Sequence, residues 1–175
     1  MRGQSWNICG NTAIWSDDWL QKDCLMEKEA ALRDFSVDPI ISSVTHVLTD
    51  WPLSRVFLYN DARYHWGLLV PRRAGLTEIC DLEPADQAQM MAEIVSLSKI
   101  IRALPGVEKL NVGYLGIAVP QLHVHVVGRF KGDPAWPGPV WGHSPPQPWA
   151  SADDAPLGRA MATAGGPMSG HPRFR

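Results

Sequence analysis

Residues 120–129 read PQLHVHVVGR, and the alternation within them decides how the rest of the chain is read. Successive side chains of a strand point to opposite faces. Gln121, His123, His125 and Val127 therefore share one face, while Leu122, Val124 and Val126 share the other. The second set makes an apolar underside suited to packing beneath a helix. The first is a row of nitrogen-bearing groups, and burying two imidazoles beside a carboxamide is costly unless each is hydrogen-bonded or used.

Three chemistries fit that row. The histidines can be satisfied side chains on a half-exposed sheet face. They can chelate a metal, since two histidines two apart on a strand reach one ion. A metal needs further ligands, and only Asp133 and His143 offer themselves downstream, with no characteristic spacing. Third, a neutral imidazole carries a lone pair at physiological pH and can attack phosphorus. That use requires one ring nitrogen held as a donor, the other left free, and donors nearby for the phosphate oxygens.

Working outward, RVFLYND (Arg55–Asp61) and WGLLVPRR (Trp66–Arg73) read as two β-prone strands joined by a short connection. Pro71 closes the second, because proline cannot donate to a central ladder. EPADQAQMMAEIVSLSKIIRALPG, beginning at Glu83, predicts a helix with Pro84 in its first turn, Asp86 at its positive end and Pro105-Gly106 as its stop. Met90, Ile94, Leu97, Ile101 and Leu104 form its apolar face, a packing stripe. EKLNVGYLG (from Glu108) and QLHVHVVGRF (from Gln121) read as further strands. Strands, one long helix and more strands indicate an α+β domain with an antiparallel sheet covered on one face.

At 175 residues the chain has a single-domain length. Its net charge of −2 argues against a nucleic-acid backbone binder. Apolar runs such as VFLY and GLLV are too short to span a bilayer, so neither nucleic acid nor membrane is expected as a partner. Residues 1–26 lack a secretory apolar core and show no periodicity that would bury Trp6, Trp15 and Trp19. They read as an N-terminal extension, with Met26 as an alternative start before the helix-forming run EKEAALRDF. Cys9, Cys24 and Cys80 are odd in number and form no CxxC pair, which points to a reducing cytoplasm. Residues 144–175, rich in Pro, Gly, Ala and Ser, predict a disordered tail. The working domain is then 27–143.

The run NVGYLGIAVPQLHVHVVGR, Asn111–Arg129, resembles the signature of the histidine triad (HIT) superfamily in a bacterial-type form with a Q-x-H-x-H variant motif. RVFLYNDARYHWGLLVPRRAGLTEICDL (55–82) resembles that family's earlier hairpin and following helix. DPAWPG (133–138) resembles its Trp-Pro element. The likeness covers roughly residues 35–142. It implies a HIT-like fold of about five antiparallel strands, one long helix and a shorter N-terminal helix. It implies a nucleotide hydrolase or nucleotidyl transferase acting at an α-phosphate, for instance of a dinucleoside polyphosphate. It also implies a homodimer and no resident cofactor, a divalent cation arriving only with the nucleotide. A nucleotide-binding or regulatory protein with little turnover is the alternative.

Carried over by position, His123 matches the nucleophile, and His125 and Gln121 flank it in the catalytic row. Asn111 matches a phosphate-binding asparagine. Asn60, with Asp61 as its rival, falls near the ribose-contacting position, and Trp136 lies near a nucleotide site or at a dimer edge. Arg72, Arg73 and Arg129 lie near strand ends, where solvated surface positions compete with phosphate contacts. The departures are specific. Gln121 replaces the first triad histidine, Trp66 aligns with an additional histidine, and Ile117 and Ala118 stand where polar residues are common. His65, one residue from Trp66, is expected on the opposite face. Gln121 can donate and accept hydrogen bonds but cannot act as an imidazolium acid, so the changes weaken leaving-group protonation more than nucleophilic attack.

Overall fold

The protein is described by a computed structural model covering residues 35–163. The N-terminal extension, nearly all of the EKEAALRDF run that would supply the shorter N-terminal helix, and residues 164–175 lie outside the described residues. Asp38 opens the first element: its carboxylate accepts from Ile40 N–H and Pro39 fills the first position of a short helix, α1, Pro39–Ser43. Five strands follow: β1 Thr45–Asp50, β2 Ser54–Tyr59, β3 His65–Pro71, β4 Lys109–Gly113 and β5 Val124–Arg129. They form one sheet in the order β1-β2-β3-β5-β4, every neighbouring pair antiparallel. The sequence located four of these strands; β1, with its polar alternation and a bulge between Val47 and Thr49, escaped the apolar pattern.

The long helix, α2, spans Pro84–Arg102 and covers one face of the sheet. Met90, Ile94, Leu97 and Ile101 pack with Val56, Leu58, Leu69, Leu122, Val124 and Val126 in one buried cluster. The helix lies close because two strand positions on that face carry no side chain. A Cβ on Gly67 would stand 2.9 Å from Leu97, and one on Gly128 would stand 2.9 Å from Ile101. Within the same stripe Glu93 is buried, accepting from Leu53 and Ser54 backbone N–H groups. It closes the β1–β2 turn, which has too few donors' partners of its own.

Two strand ends differ from the sequence reading. The fourth strand stops at Gly113 and the fifth begins only at Val124. Gly116, at φ 66°, turns the chain out of the sheet, and Leu122 N–H donates to Leu76 O at 2.9 Å instead of to a ladder partner. Gln121 and His123 therefore sit on a loop leading into β5.

The expectation of a disordered tail from residue 144 also changes, for residues 144–163. Ala62 N–H donates to Gln147 O, and Trp149 N–H donates to Asn60 Oδ1 at 2.7 Å. A final helix, α3, Pro156–Thr163, then places Leu157 and Met161 in the core cluster beside α2. Two apolar residues one turn apart are too few for a periodic signal, so composition misled. No helix among the described residues is long and apolar enough to cross a membrane.

Because Leu157 is fully buried, Leu157→Ala is expected to destabilise the protein by about 3 kcal/mol in urea unfolding, the usual range for a buried leucine. An unchanged midpoint would return residues 144–163 to a loose tail.

Candidate functional site

The sheet face away from α2 carries the histidines. Register places Leu68 of β3 and Gly113 of β4 on either side of His125, and Trp66 beside Val127. Tyr59, next along the same face, stacks on Trp66 with ring centres 4.2 Å apart. From this packed position the Trp66 indole N–H donates to His125 Nδ1 at 2.9 Å. An indole nitrogen only donates, so His125 Nδ1 carries the lone pair and Nε2 the proton. Burial, with a smaller contribution from the charge of His123, pushes the His125 pKa down from 6.5 to about 3. His125 is thus a neutral imidazole presenting one N–H.

His123 has the opposite arrangement. Its Nδ1 lies 2.6 Å from the Gln121 carbonyl oxygen, and a carbonyl only accepts. The Nδ1 atom is the protonated one, and the neutral ring keeps its lone pair on Nε2. The two rings stand 5.0 Å apart, near perpendicular. One row therefore holds a bare imidazole nitrogen next to an imidazole N–H donor.

The remaining sequence-predicted residues divide into those that join this site and those that do not. Asn111 sits on β4 beside Val127; its Oδ1 accepts from Arg129 Nη1 at 2.7 Å, and its Nδ2 donates one hydrogen to the Leu110 carbonyl at 3.2 Å. Arg129 is buried rather than solvated. It also binds both oxygens of Asp133 and the Gly138 carbonyl. Burial would raise the Asp133 carboxyl, but the Arg129 guanidinium and backbone N–H groups hold it below the usual range. Asp133, raised as a metal ligand, is thus an ion-pair partner that fixes the loop after β5. His143 is exposed with Nδ1 near Ser144 Oγ. Trp136 is 40% exposed and lies over the Arg129 guanidinium.

Asn60 and Asp61 are both engaged within the chain. Asn60 Oδ1 holds Trp149 N–H, and Asp61 is buried against Arg63 with both oxygens engaged. Burial would raise Asp61's carboxyl, yet the Arg63 hydrogen bonds keep it low. The pair anchors residues 147–149 to the β2–β3 connection, and Arg63 also donates to Ser144. Arg72 bonds the carbonyls of Trp51 and Pro52, and Arg73 pairs with Asp86 at the start of α2. His65 lies on the helix-covered side, its Nε2 near Pro105 O. Gln121, expected in the catalytic row, uses its carboxamide elsewhere: Oε1 accepts from Asp38 N–H and Nε2 donates to Ser36 O.

Sequence reasoning missed Trp141. Its ring centre is 5.8 Å from His125 and 6.2 Å from Trp66, and it touches the position of a Cβ on Gly113. With Asn111, Val112, Pro137 and Gly138 it lines a groove of about 490 Å³ beside the histidine row. Trp141 lies in a Pro/Gly-rich run, WPGPVWG, without periodicity to mark it.

Comparison with known proteins adds to this geometry. A family profile described as HIT domain matches residues 42–132. The structure of a histidine triad protein from Bradyrhizobium japonicum is 40% identical, with TM-score 0.70, covering 74% of this chain and 96% of that one. A histidine triad (HIT) protein from Sinorhizobium meliloti is 36% identical, with TM-score 0.72, covering 75% and 98%. One from Marinobacter aquaeolei is 40% identical, with TM-score 0.70, covering 74% and 94%. No curated protein matches the chain.

The His125 environment has a consequence for stability. The folded chain keeps His125 neutral down to about pH 3, whereas the unfolded chain takes up the proton near pH 6.5. Its contribution is complete above pH 6.5 and is lost as pH falls from 6.5 toward 3. Between pH 7 and pH 5 the loss is on the order of 2 kcal/mol. Urea midpoints at the two pH values should therefore diverge less in His125→Gln than in the parent. Equal divergence would mean that His125 is not held neutral.

Proposed function

Since the chain belongs to the HIT domain family, we propose that it is a nucleotide hydrolase or nucleotidyl transferase. It cleaves a phosphoanhydride at the α-phosphate, as in a dinucleoside polyphosphate, through a nucleotidyl-histidine intermediate on His123. The observation that carries the reading is the Nδ1–H of His123 held by the Gln121 carbonyl, which leaves Nε2 as the lone-pair nitrogen.

In the first step the Nε2 lone pair forms a bond to the α-phosphorus. The bond from phosphorus to the bridging oxygen breaks, and its electron pair leaves with the second phosphate group. The imidazole becomes a cation, stabilised through Nδ1–H by the Gln121 carbonyl. His125 donates its Nε2–H to a phosphoryl oxygen, and the second N–H of the Asn111 carboxamide, the one not held by the Leu110 carbonyl, supplies a further donor; fixed donors of this kind stabilise developing charge without reorganising. In the second step water, or another acceptor hydroxyl, attacks phosphorus. The P–N bond breaks, its electrons return to Nε2, and the acceptor proton passes to phosphate or solvent.

The leaving group defines the substrate. Gln121 and Trp66 carry no acid, and Ile117 and Ala118 are apolar and exposed. Expulsion then favours groups that depart as stable anions, namely phosphates and pyrophosphates. A divalent cation accompanying the nucleotide neutralises that charge; no resident cofactor is needed. The Gln121 carboxamide, occupied by Ser36 and Asp38, favours a second reading in which the protein binds nucleotide with slight turnover. We place the protein in the reducing cytoplasm.

The unit is a homodimer formed along β4. That strand is at the sheet edge, and Val112, Tyr114, Leu115 and Ile117 on and after it are exposed, an edge that needs covering. Sedimentation equilibrium should give about twice 19.3 kDa, reduced to the monomer by Val112→Lys. A monomeric parent would remove the dimer from the account.

Turnover is tested with a panel of adenosine polyphosphates and purified protein. Release of nucleoside monophosphate is expected, and His123→Ala should reduce it roughly 10³-fold or more while leaving nucleotide binding within about threefold. Binding without release in the parent would establish the second reading.

A further inference from the structure

Gln121 is tied to the chain's earliest described residues by two hydrogen bonds. Its Oε1 accepts from Asp38 N–H and its Nε2 donates to Ser36 O, both at 2.8 Å, across 83 and 85 residues. The two backbone groups lie two residues apart, the spacing a neighbouring strand would present. A carboxamide offers its acceptor and donor side by side and matches that pair. An imidazole, whose donor and acceptor diverge across the ring, does not.

The same residue governs the nucleophile. The Gln121 carbonyl, which holds His123 Nδ1 at 2.6 Å, belongs to the planar peptide whose N–H is that of Leu122. That N–H is held by the Leu76 carbonyl at 2.9 Å. In a trans peptide the two groups point in opposite directions, so fixing the N–H aims the carbonyl. The Leu76 bond alone still permits rotation about its axis. The carboxamide clamp fixes the peptide's other end. His123 needs this, because it precedes β5 and has no ladder of its own to hold it.

We propose that Gln121 is a positioning residue: its carboxamide, clamped on Ser36 and Asp38, aims the carbonyl that keeps the proton of His123 on Nδ1 and its lone pair on Nε2. The segment before α1 is thereby part of the site. The proposal rests on His123 as the nucleophile, but its first test does not require turnover.

That test is nitrogen-15 NMR of the full chain, with His123 assigned by loss of its signals in His123→Gln. The parent should show His123 protonated at Nδ1. Gln121→Ala should give mixed tautomers and exchange of the Nδ1 proton about tenfold faster, the factor expected for losing two half-exposed hydrogen bonds. Asp38→Pro deletes only one end of the clamp. Asp38 already has φ −54°, within the proline range, so this variant should reproduce the change. Asp38→Ala removes the helix cap but keeps the N–H, and should leave His123 as in the parent. Unchanged His123 signals in both Gln121→Ala and Asp38→Pro would overturn the proposal.

A kinetic arm separates positioning from contact. With anhydrides of graded leaving-group basicity, Gln121→Ala should lower kcat by one common factor and leave KM unchanged. A loss that grows with leaving-group basicity would put the carboxamide on the leaving group and overturn the proposal. A parent with no turnover contradicts the proposed function, while the NMR result still decides the role of Gln121.

Discussion

The hydrogen bond from Trp66 to His125 is the constraint on which the site depends. Two imidazoles with ring centres 5.0 Å apart repel if both are charged and compete if both present the same group. The indole N–H removes the choice for one of them. It fixes the His125 proton on Nε2, and burial against Trp66, Leu68 and Trp141 keeps the ring neutral. Trp66 can do this because β3 pairs with β5 in one register, with Leu68 opposite His125 and Trp66 opposite Val127. A shift of one residue would send Trp66 to the helix face. The Gly67 and Gly128 positions secure that register from below, since only there can α2 lie so close to the sheet.

Around this pair, charged groups act as fixings more than as ligands. Arg129 links Asp133, Asn111 and Gly138 in one buried cluster, joining β4, β5 and the following loop. Asp61 and Arg63 tie residues 144–147 to the β2–β3 connection, and that strap carries the chain onward from Trp141. Such pairs stabilise modestly once desolvation is counted. Their value here is geometric: the Arg129 cluster fixes Asn111 and Gly138, which line the groove, and the Asp61–Arg63 pair fixes the strap that follows it.

Much of this was legible in the sequence. Alternation in LHVHVV gave the two faces correctly, and the stripe from Met90 to Ile101 gave the helix and its buried side. The family resemblance, resting on Asn111, His123 and His125, agrees with the profile and with the solved relatives. What escaped followed from the limits of pattern. Residues 144–163 dock through Leu157, Met161 and two backbone hydrogen bonds, contacts invisible to composition. The bonds from Asn60 and Asp61 to residues 147–149 span 86 to 89 positions and leave no local pattern. Trp141 is brought to His125 only by the return of the chain. For Gln121 the sequence told which residue was replaced and not which way its side chain turned, because its partners lie more than 80 residues earlier.

The proposed chemistry requires a lone pair on His123 Nε2 to attack phosphorus. It is tested most directly by mixing the protein with a diadenosine polyphosphate, quenching within milliseconds in alkali, where a phosphoramidate survives, and mapping modified peptides by mass spectrometry. A nucleotidyl group is expected on His123, disappearing as turnover completes and absent from His123→Ala. Release of nucleoside monophosphate by the parent with no adduct on His123 at any quench time would contradict it.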